Sequence, residues 1–294
     1  MRAATRGSEL ALRQTRHVSS LLDEPVEEVV VETMGDRRQD LPIWEIGGRG
    51  VFVKEVQSAV LEGRADFAVH SAKDLPARPT PGLVLAAVPE RVDARDAMVG
   101  SVLEELPPGA LVATGSVRRR AQLASLRPDL TFTGLRGNVD TRLRMSTQYS
   151  ALVLAAAALH RLERIEQAAE VLDPELMVPQ VAQGALALEC REDDGNVRQA
   201  LEALEHEPSR RAVDAERAYL AQLGGGCDLP VGAHARTGED GTVRLTAILA
   251  TLDGRIVLRA TAEGDDPEEV GRSAATEILE ESGGTWVLED ASRA

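Results

Sequence analysis

Cysteine is nearly missing from this chain, with Cys190 and Cys227 the only two in 294 residues. Two thiols give no disulfide framework, and a chain this long needs none, because it buries roughly three quarters of its unfolded surface on folding. A reducing, cytoplasmic compartment is the expectation. Long apolar runs are missing as well. No stretch approaches the roughly 20 apolar residues that span a bilayer, and Met1-Arg-Ala-Ala-Thr-Arg6 runs straight into structured sequence, so no membrane is expected. Lysine is reduced to Lys54 and Lys73, and the formal net charge is -15. Such a surface repels nucleic acid and anionic lipid, which excludes a general polyanion binder. Metal chemistry lacks its signature too, since the five histidines and two cysteines show no ligand spacing.

The positive charge that is present is concentrated. Between 118 and 144 stand seven arginines (118, 119, 120, 127, 136, 142 and 144) against two acids, Asp129 and Asp140. A guanidinium island in an acidic protein suits a small ligand with several carboxylates or phosphates, because each planar fork binds an anion bidentately. Arg120, Arg127 and Arg144 have the plainer use of solvated helix faces. Glycine is concentrated too. In Gly224-Gly-Gly-Cys-Asp-Leu-Pro230 a thiol follows three glycines, so something bulky can lie against the main chain where the thiol emerges. Gly224 also suits the left-handed cap of a helix expected over 209–223. A free cysteine serves as a small buried hydrophobe as readily as a reactive group, so local chemistry leaves both uses of Cys227 open.

Strand and helix signals alternate. A strand is expected at 2–5, a helix from Glu9 to about Leu22 capped by Ser8, a strand at 29–33, a long polar loop at 34–50, a helix at 51–62, and strands at 65–70 and 83–88. A second unit opens like the first: Leu111-Val-Ala-Thr-Gly-Ser116 and a helix over 117–126 repeat Arg2-Ala-Ala-Thr-Arg-Gly-Ser8 and its helix. Each pattern aims a helix N-terminus at an anion, and if the two face each other the ligand lies in a cleft. Further strands are expected at 131–135 and 150–155, a short helix from Val139 capped by Asn138, and a helix over 159–171. Mainly parallel α/β sheets follow from the alternation, with ligands at the carboxyl ends of strands, where residues 5–8, 71–74, 115–119 and 136–138 stand. After helices at about 196–223 the pattern changes. An alternating run over 243–262 is broken by Asp253-Gly254, a hairpin signal, and a helix over 267–281 stops at Gly283-Gly284, giving a small α+β domain.

These stretches together resemble the porphobilinogen deaminase family over essentially the whole chain. The resemblance rests on Ala4-Thr-Arg-Gly-Ser8, Gly47-Gly-Arg-Gly-Val-Phe-Val-Lys-Glu55, Ala65-Asp-Phe-Ala-Val-His-Ser-Ala-Lys-Asp-Leu-Pro76 and Gly115-Ser-Val-Arg-Arg119. It continues with Leu135-Arg-Gly-Asn-Val-Asp-Thr-Arg-Leu143, Gln183-Gly-Ala185, Glu189-Cys-Arg191 and Gly225-Gly-Cys-Asp-Leu-Pro230. It implies two α/β lobes like those of periplasmic binding proteins, 1–88 with 185–202 and 92–178, and a small C-terminal α+β domain at 207–294. It also implies a dipyrromethane cofactor on a thioether to Cys227, porphobilinogen and the growing polypyrrole chain as ligands, and a monomer.

Residue by residue, the resemblance implies that Asp74 is the catalytic carboxylate. Lys73, Ser116, Arg118, Arg119 and Arg142 are then expected around the cofactor, and Arg6, Ser8, Arg136, Arg142 and Arg161 around the acid groups of the substrate. Chemistry agrees for Asp74, because loss of ammonia leaves a cationic methylene-pyrrole that a carboxylate stabilises. The plain structural use of Asp74 is an Asx turn before Pro76. Lys73 has a surface or a cleft use, His70 fits a satisfied buried histidine, Cys190 fits packing, and Phe52 fits either core or a cover over the site. The chain departs from the family's usual pattern at Thr33-Met-Gly-Asp36, where Met34 replaces an arginine, and at Glu45, often a lysine, so contacts of the 34–50 loop stay open. Two other readings compete. A non-catalytic two-lobe binding protein does not explain Cys227, and a cysteine hydrolase using His70, His160, His206 or His234 has no supporting spacing.

Overall fold

The Ala-Thr and serine pattern that the sequence carries twice is built twice in the computed structural model, which describes residues 1–37, 50, 52–224 and 229–291. The described chain divides into two units, Met1–Val92 with Gly184–Arg210, and Asp93–Gln183 with Arg211–Ala294.

In the first unit β1 (Arg2–Arg6) is followed by α1 (Glu9–Leu21), β2 (Glu27–Val31), α2 (Met34–Arg37), α3 (Lys54–Leu61), β3 (Phe67–Ser71) and β4 (Leu83–Ala87). Ser8 caps α1 as expected, its Oγ accepting the Ala11 N–H at 3.3 Å. β1 pairs in parallel with both β2 and β3. The second unit opens with β5 (Asp96–Val99) and continues through β6 (Leu111–Ala113), α4 (Val117–Leu126), β7 (Thr131–Thr133), α5 (Val139–Arg144), β8 (Ala151–Ala155), α6 (Ala156–Arg161) and β9 (Ala168–Val171). The chain then adds β10 (Leu186–Arg191) and α7 (Gly195–Glu202) to the first unit and continues as α8 (Glu207–Gln222).

The two sheets share one plan. The orders are β2-β1-β3-β10-β4 and β7-β6-β8-β5-β9, each with three parallel strands and its first strand between the other two. The fourth strand of each, β10 or β5, runs antiparallel, and each is the first strand formed after the chain enters that unit from the other. β4 and β9, beyond the reversed strand, again run with the first three, so the expectation of mainly parallel sheets holds for four strands of each five. Burial alternates as two covered faces require: Phe67 and Val69 of β3 join a core with Val18, Leu186, Leu188 and Leu201, while Ala68 joins Val56, Ala59 and Val60 on the other side.

Beyond α8 come β11 (Val231–Thr237), β12 (Val243–Ala250) and β13 (Val257–Gly264), an antiparallel sheet covered by α9 (Pro267–Thr276), with α10 (Gly284–Ala291) after a π-helical turn over Glu277–Glu281. The β12–β13 turn contains Asp253-Gly254, as the hairpin signal suggested. No helix among the described residues is long and apolar enough to cross a membrane.

One element is corrected. The helix expected over 159–171 ends at Arg161. Glu163 takes a left-handed φ of 57°, and Ala168–Val171 becomes the outer strand beside β5. Apolar spacing fitted a helix there, but the free edge of β5 offered backbone partners that no local signal revealed.

Candidate active site

β1, β2 and β3 run parallel, so the residues that follow them gather along one edge of the first sheet. Arg6, at the end of β1, donates from Nε to Asp36 Oδ2 at 3.2 Å and from Nη2 to Oδ1, and its guanidinium lies 4.1 Å from the centroid of the Phe52 ring. Thr33 adds its N–H and hydroxyl to Asp36 at 3.3 and 2.7 Å. Burial alone would raise the Asp36 carboxyl, but Arg6 and Thr33 outweigh it and hold the group below its ordinary range. Gly35 leaves room for Phe52, whose ring lies 2.1 Å from where a Cβ would stand. Met34 is 49% exposed, so the departure from the usual motif falls on its solvent side while Gly35 and Asp36 keep their contacts. The rest of the expected loop, 38–49 with Arg38, Glu45 and Arg49, lies outside the described residues.

β3 ends at Ser71, whose Oγ accepts a hydrogen bond from Gln14 Nε2 of α1 at 2.8 Å. One 3-10 turn then carries Ala72, Lys73 and Asp74, and Ala72 N–H donates to Ala185 O at 3.0 Å. Asp74 is half-buried, and among the described residues its carboxylate has no hydrogen-bond or ion-pair partner. Leu75 N–H closes the 3-10 turn on Ala72 O at 3.2 Å, and Pro76, two residues after Asp74, has no N–H to donate, so the Asx-turn use of Asp74 is not made. His70, one pleat earlier, is 5% exposed, with Nε2 3.1 Å from Glu189 Oε2 but not aligned as a hydrogen bond. Gln57 Nε2 donates to the same Glu189 oxygen at 2.8 Å, and Thr80 Oγ1 to Gln57 Oε1 at 3.0 Å. His70 thus belongs to a buried polar group behind the turn.

The second sheet gathers its arginines in the same way. Ser116 caps α4, accepting the Arg119 N–H at 3.4 Å, and Asn138 caps α5 through the Thr141 N–H at 2.9 Å. A Cβ on Gly115 would stand 2.7 Å from Leu135 O, so the turns after β6 and β7 lie in backbone contact and bring Ser116 near the Arg136 loop. Arg136 is half-buried in that loop, and Arg142 Nε donates to Gly137 O at 2.9 Å. Arg161 closes α6, after β8, and burial pulls its guanidinium down to about 10.

Arg118 and Arg119 are buried at the start of α4 and meet Asp96, which is fully buried at the start of β5. Arg118 Nη1 donates to Asp96 Oδ2 and to Val178 O, both at 2.7 Å. Arg119 donates from Nε to Asp96 Oδ1 and from Nη1 to Val153 O, both at 2.9 Å, and from Nη2 to Gln183 Oε1 at 3.3 Å. Gln183 Nε2 donates to Asp96 Oδ1 at 2.8 Å and to Ala94 O at 2.8 Å. Burial opposes ionisation of Asp96, yet the two guanidinium charges prevail and hold it far below the usual carboxylate range. Desolvation lowers Arg118 despite that partner.

Sequence reasoning missed Asp96 and gave Gln183 no role. The signal for Asp96 was an acid inside the apolar strand Asp96–Val99 of a chain that concentrates its arginines elsewhere, since a buried charge demands a partner. Cys227 lies outside the described residues, between the end of α8 and the start of β11. Cys190 packs in the first unit's core, and burial pushes its thiol up to about 11.

A carboxylate-bearing cofactor fits the second edge. Arg118 is 2% exposed, and among the described residues its Nε and Nη2 have no hydrogen-bond partner, so two buried donors await an acceptor.

Two family profiles match the chain: "Porphobilinogen deaminase, dipyromethane cofactor binding domain" over 1–199 and "Porphobilinogen deaminase, C-terminal domain" over 211–280. A porphobilinogen deaminase of Geobacillus kaustophilus is 47% identical over 298 residues, 97% of this chain and 95% of its own length. One of Thermus thermophilus is 48% identical over 291 residues, 95% of each chain. Among solved structures, a TRAP periplasmic solute binding protein of Xanthobacter autotrophicus aligns at 15% identity with a TM-score of 0.42, over 74% of this chain and 83% of that one. Identity near one half, sustained from end to end of the curated relatives and across both family profiles, reflects common descent, and the chain belongs to the porphobilinogen deaminase family.

Proposed function

We propose that this chain carries out the reaction of its family: head-to-tail condensation of four porphobilinogen molecules, each losing ammonia, on a dipyrromethane primer attached to Cys227, followed by hydrolytic release of hydroxymethylbilane. It is read as a transferase of tetrapyrrole biosynthesis, acting as a cytoplasmic monomer. The three-domain division (1–88 with 185–202, 92–178 and 207–294) is part of this reading, with the last domain displaying the Cys227 loop.

The carrying observation is Asp74, a half-buried carboxylate at a strand end with no partner among the described residues. A carboxylate that accepts nothing from the described residues keeps its lone pairs for a ligand. It stabilises the cation that develops as ammonia leaves, and it relays protons to the leaving amine and from the pyrrole nitrogen. Lys73 shares the turn and is read as a cofactor contact.

When bound, dipyrromethane supplies the nucleophilic pyrrole end to which the first substrate unit is joined. Ser116, Arg118, Arg119 and Arg142 are read as the residues that hold its acid groups. Arg118 has the clearest claim, through its buried Nε and Nη2, which have no hydrogen-bond partner among the described residues. Arg6, Ser8, Arg136, Arg142 and Arg161 are read as substrate contacts. For Arg6 this requires an incoming carboxylate to share or displace Asp36, since that pair is already made.

The test is the intact mass of the denatured protein beside a Cys227→Ser variant. A mass excess of two linked pyrrole units on the wild type alone is expected. An unmodified wild type, still unmodified after incubation with porphobilinogen, would overturn both the attachment and the reaction.

A further inference from the structure

We propose that Asp96 is a positioning residue for this reaction: its carboxylate fixes Arg118 in the pose that keeps one bidentate guanidinium edge open to an acid group of the pyrrole chain. The proposal rests on the functional reading above and deepens it, because Asp96 itself is sealed from any ligand.

Strand pairing determines where Asp96 stands. β5 runs antiparallel to β8, with Asp96 opposite Ala155, so the first residue of β5 lies at the carboxyl end of β8. That is the edge at which the α4 arginines arrive. Asp96 is 0% exposed and divides its two oxygens, Oδ2 to Arg118 and Oδ1 to Arg119 and Gln183. Gln183 also holds the carbonyl of Ala94, which fixes the approach to β5.

The division of donors on Arg118 gives the proposal its content. A guanidinium binds a carboxylate side-on through Nε and one Nη. Asp96 and Val178 O occupy Nη1, each at 2.7 Å, and leave Nε and Nη2, both buried, without a hydrogen-bond partner among the described residues. Had Asp96 taken Nε and Nη2, the side-on edge would be closed to any other acid. The charge count agrees: two buried guanidiniums share one carboxylate, leaving one positive charge uncompensated. Such a charge is costly alone and is relieved by an arriving carboxylate. Arg119 is anchored by Asp96, Val153 O and Gln183, so it cannot swing away to reduce the repulsion.

The test assays Asp96→Asn, Asp96→Ala and Asp96→Leu for cofactor loading by intact mass and for KM and kcat, with and without formate at constant ionic strength. We expect slower loading and a KM for porphobilinogen raised roughly 30-fold or more, the scale for removing one partner of a buried hydrogen-bonded charge pair. Formate should restore Asp96→Ala, by filling the space between the two arginines, and should not restore Asp96→Leu, where that space is filled. Lower melting temperature with unchanged loading and KM would make Asp96 merely structural and overturn the proposal. Formate that raises the melting temperature without lowering KM would overturn it too. If these variants do not fold, Asp96→Glu decides, since it keeps the charge but moves it by one methylene. A raised KM supports the proposal, and wild-type loading with unchanged KM sinks it. A wild type that neither loads nor turns over removes the functional reading and this proposal together, whereas an active wild type beside unaffected variants removes this proposal alone.

Discussion

Asp74 in the first unit and Asp96 in the second stand at equivalent edges of two sheets built on one plan, yet they are opposites. Asp74 is half-buried on a one-turn helix and accepts nothing from the described residues. Asp96 is sealed, bound to two arginines and a glutamine, and held strongly ionised. A carboxylate that serves chemistry must have lone pairs left for the ligand, and one that serves architecture must have none. Asp36 stands between them: it is satisfied by Arg6 and Thr33 but partly exposed, so its pair is open to competition from solvent and substrate.

The largest effect separates the two residues by kind. Asp74→Asn should lower turnover by about a hundredfold to ten-thousandfold, the range for a positioned proton-transfer group. It should leave stability within about 0.5 kcal/mol of wild type, because no hydrogen bond or ion pair with the described residues is lost. Steady-state rates beside a denaturant titration measure both. Near-normal product formation, or a large loss of stability, would remove the distinction.

Asp96→Asn should show the reverse weighting in the denaturant titration. Leaving two buried guanidiniums without their anion costs about 3–5 kcal/mol. A loss under about 1 kcal/mol would mean that water or a shifted neighbour replaces the carboxylate, and the contrast with Asp74 would lose its basis.

The elements that were legible in the sequence are those whose signals are local. Ser8 and Ser116 marked α1 and α4 because a capping side chain followed by a helical period is a short-range pattern. β8, Ala151–Ala155, was legible as a short apolar run. What escaped depended on distant partners. β5, β9, β10 and β11 form because a neighbouring strand needs hydrogen bonds, and the Ile165–Val171 segment followed that demand against its helical spacing. The site divides similarly. Asp74, Arg118 and Arg136 stood in recognisable motifs, whereas the burial of Asp96 and the engagement of Arg6 by Asp36 became visible only once strands far apart in sequence were paired. The motif around Asp74 suggested either a turn or a catalytic acid, and the carboxylate accepts no hydrogen bond from the described residues, which leaves the turn unmade.

The smallest effect applies the same rule to a buried group whose desolvation outweighs the pull of the nearby Arg198 and Arg191. Cys190 is sealed in the first unit's core; desolvation, with a smaller contribution from Asp194, pushes its thiol from 9.0 up to about 11. The thiol is neutral in both states below pH 9, so there it gives stability no pH dependence. As pH rises from 9 towards 11 the unfolded chain loses this proton while the folded chain keeps it, and stability falls. Above 11 both forms are ionised and the loss levels off at about 3 kcal/mol. Cys190→Ala is expected to be less stable at neutral pH, through the cavity it leaves, but to show a shallower decline between pH 9 and 11. Denaturant titrations of the two proteins across that window measure the difference, with Cys227 common to both. Parallel curves would show that the Cys190 thiol ionises as readily in the core as in the unfolded chain, and that burial does not govern its charge.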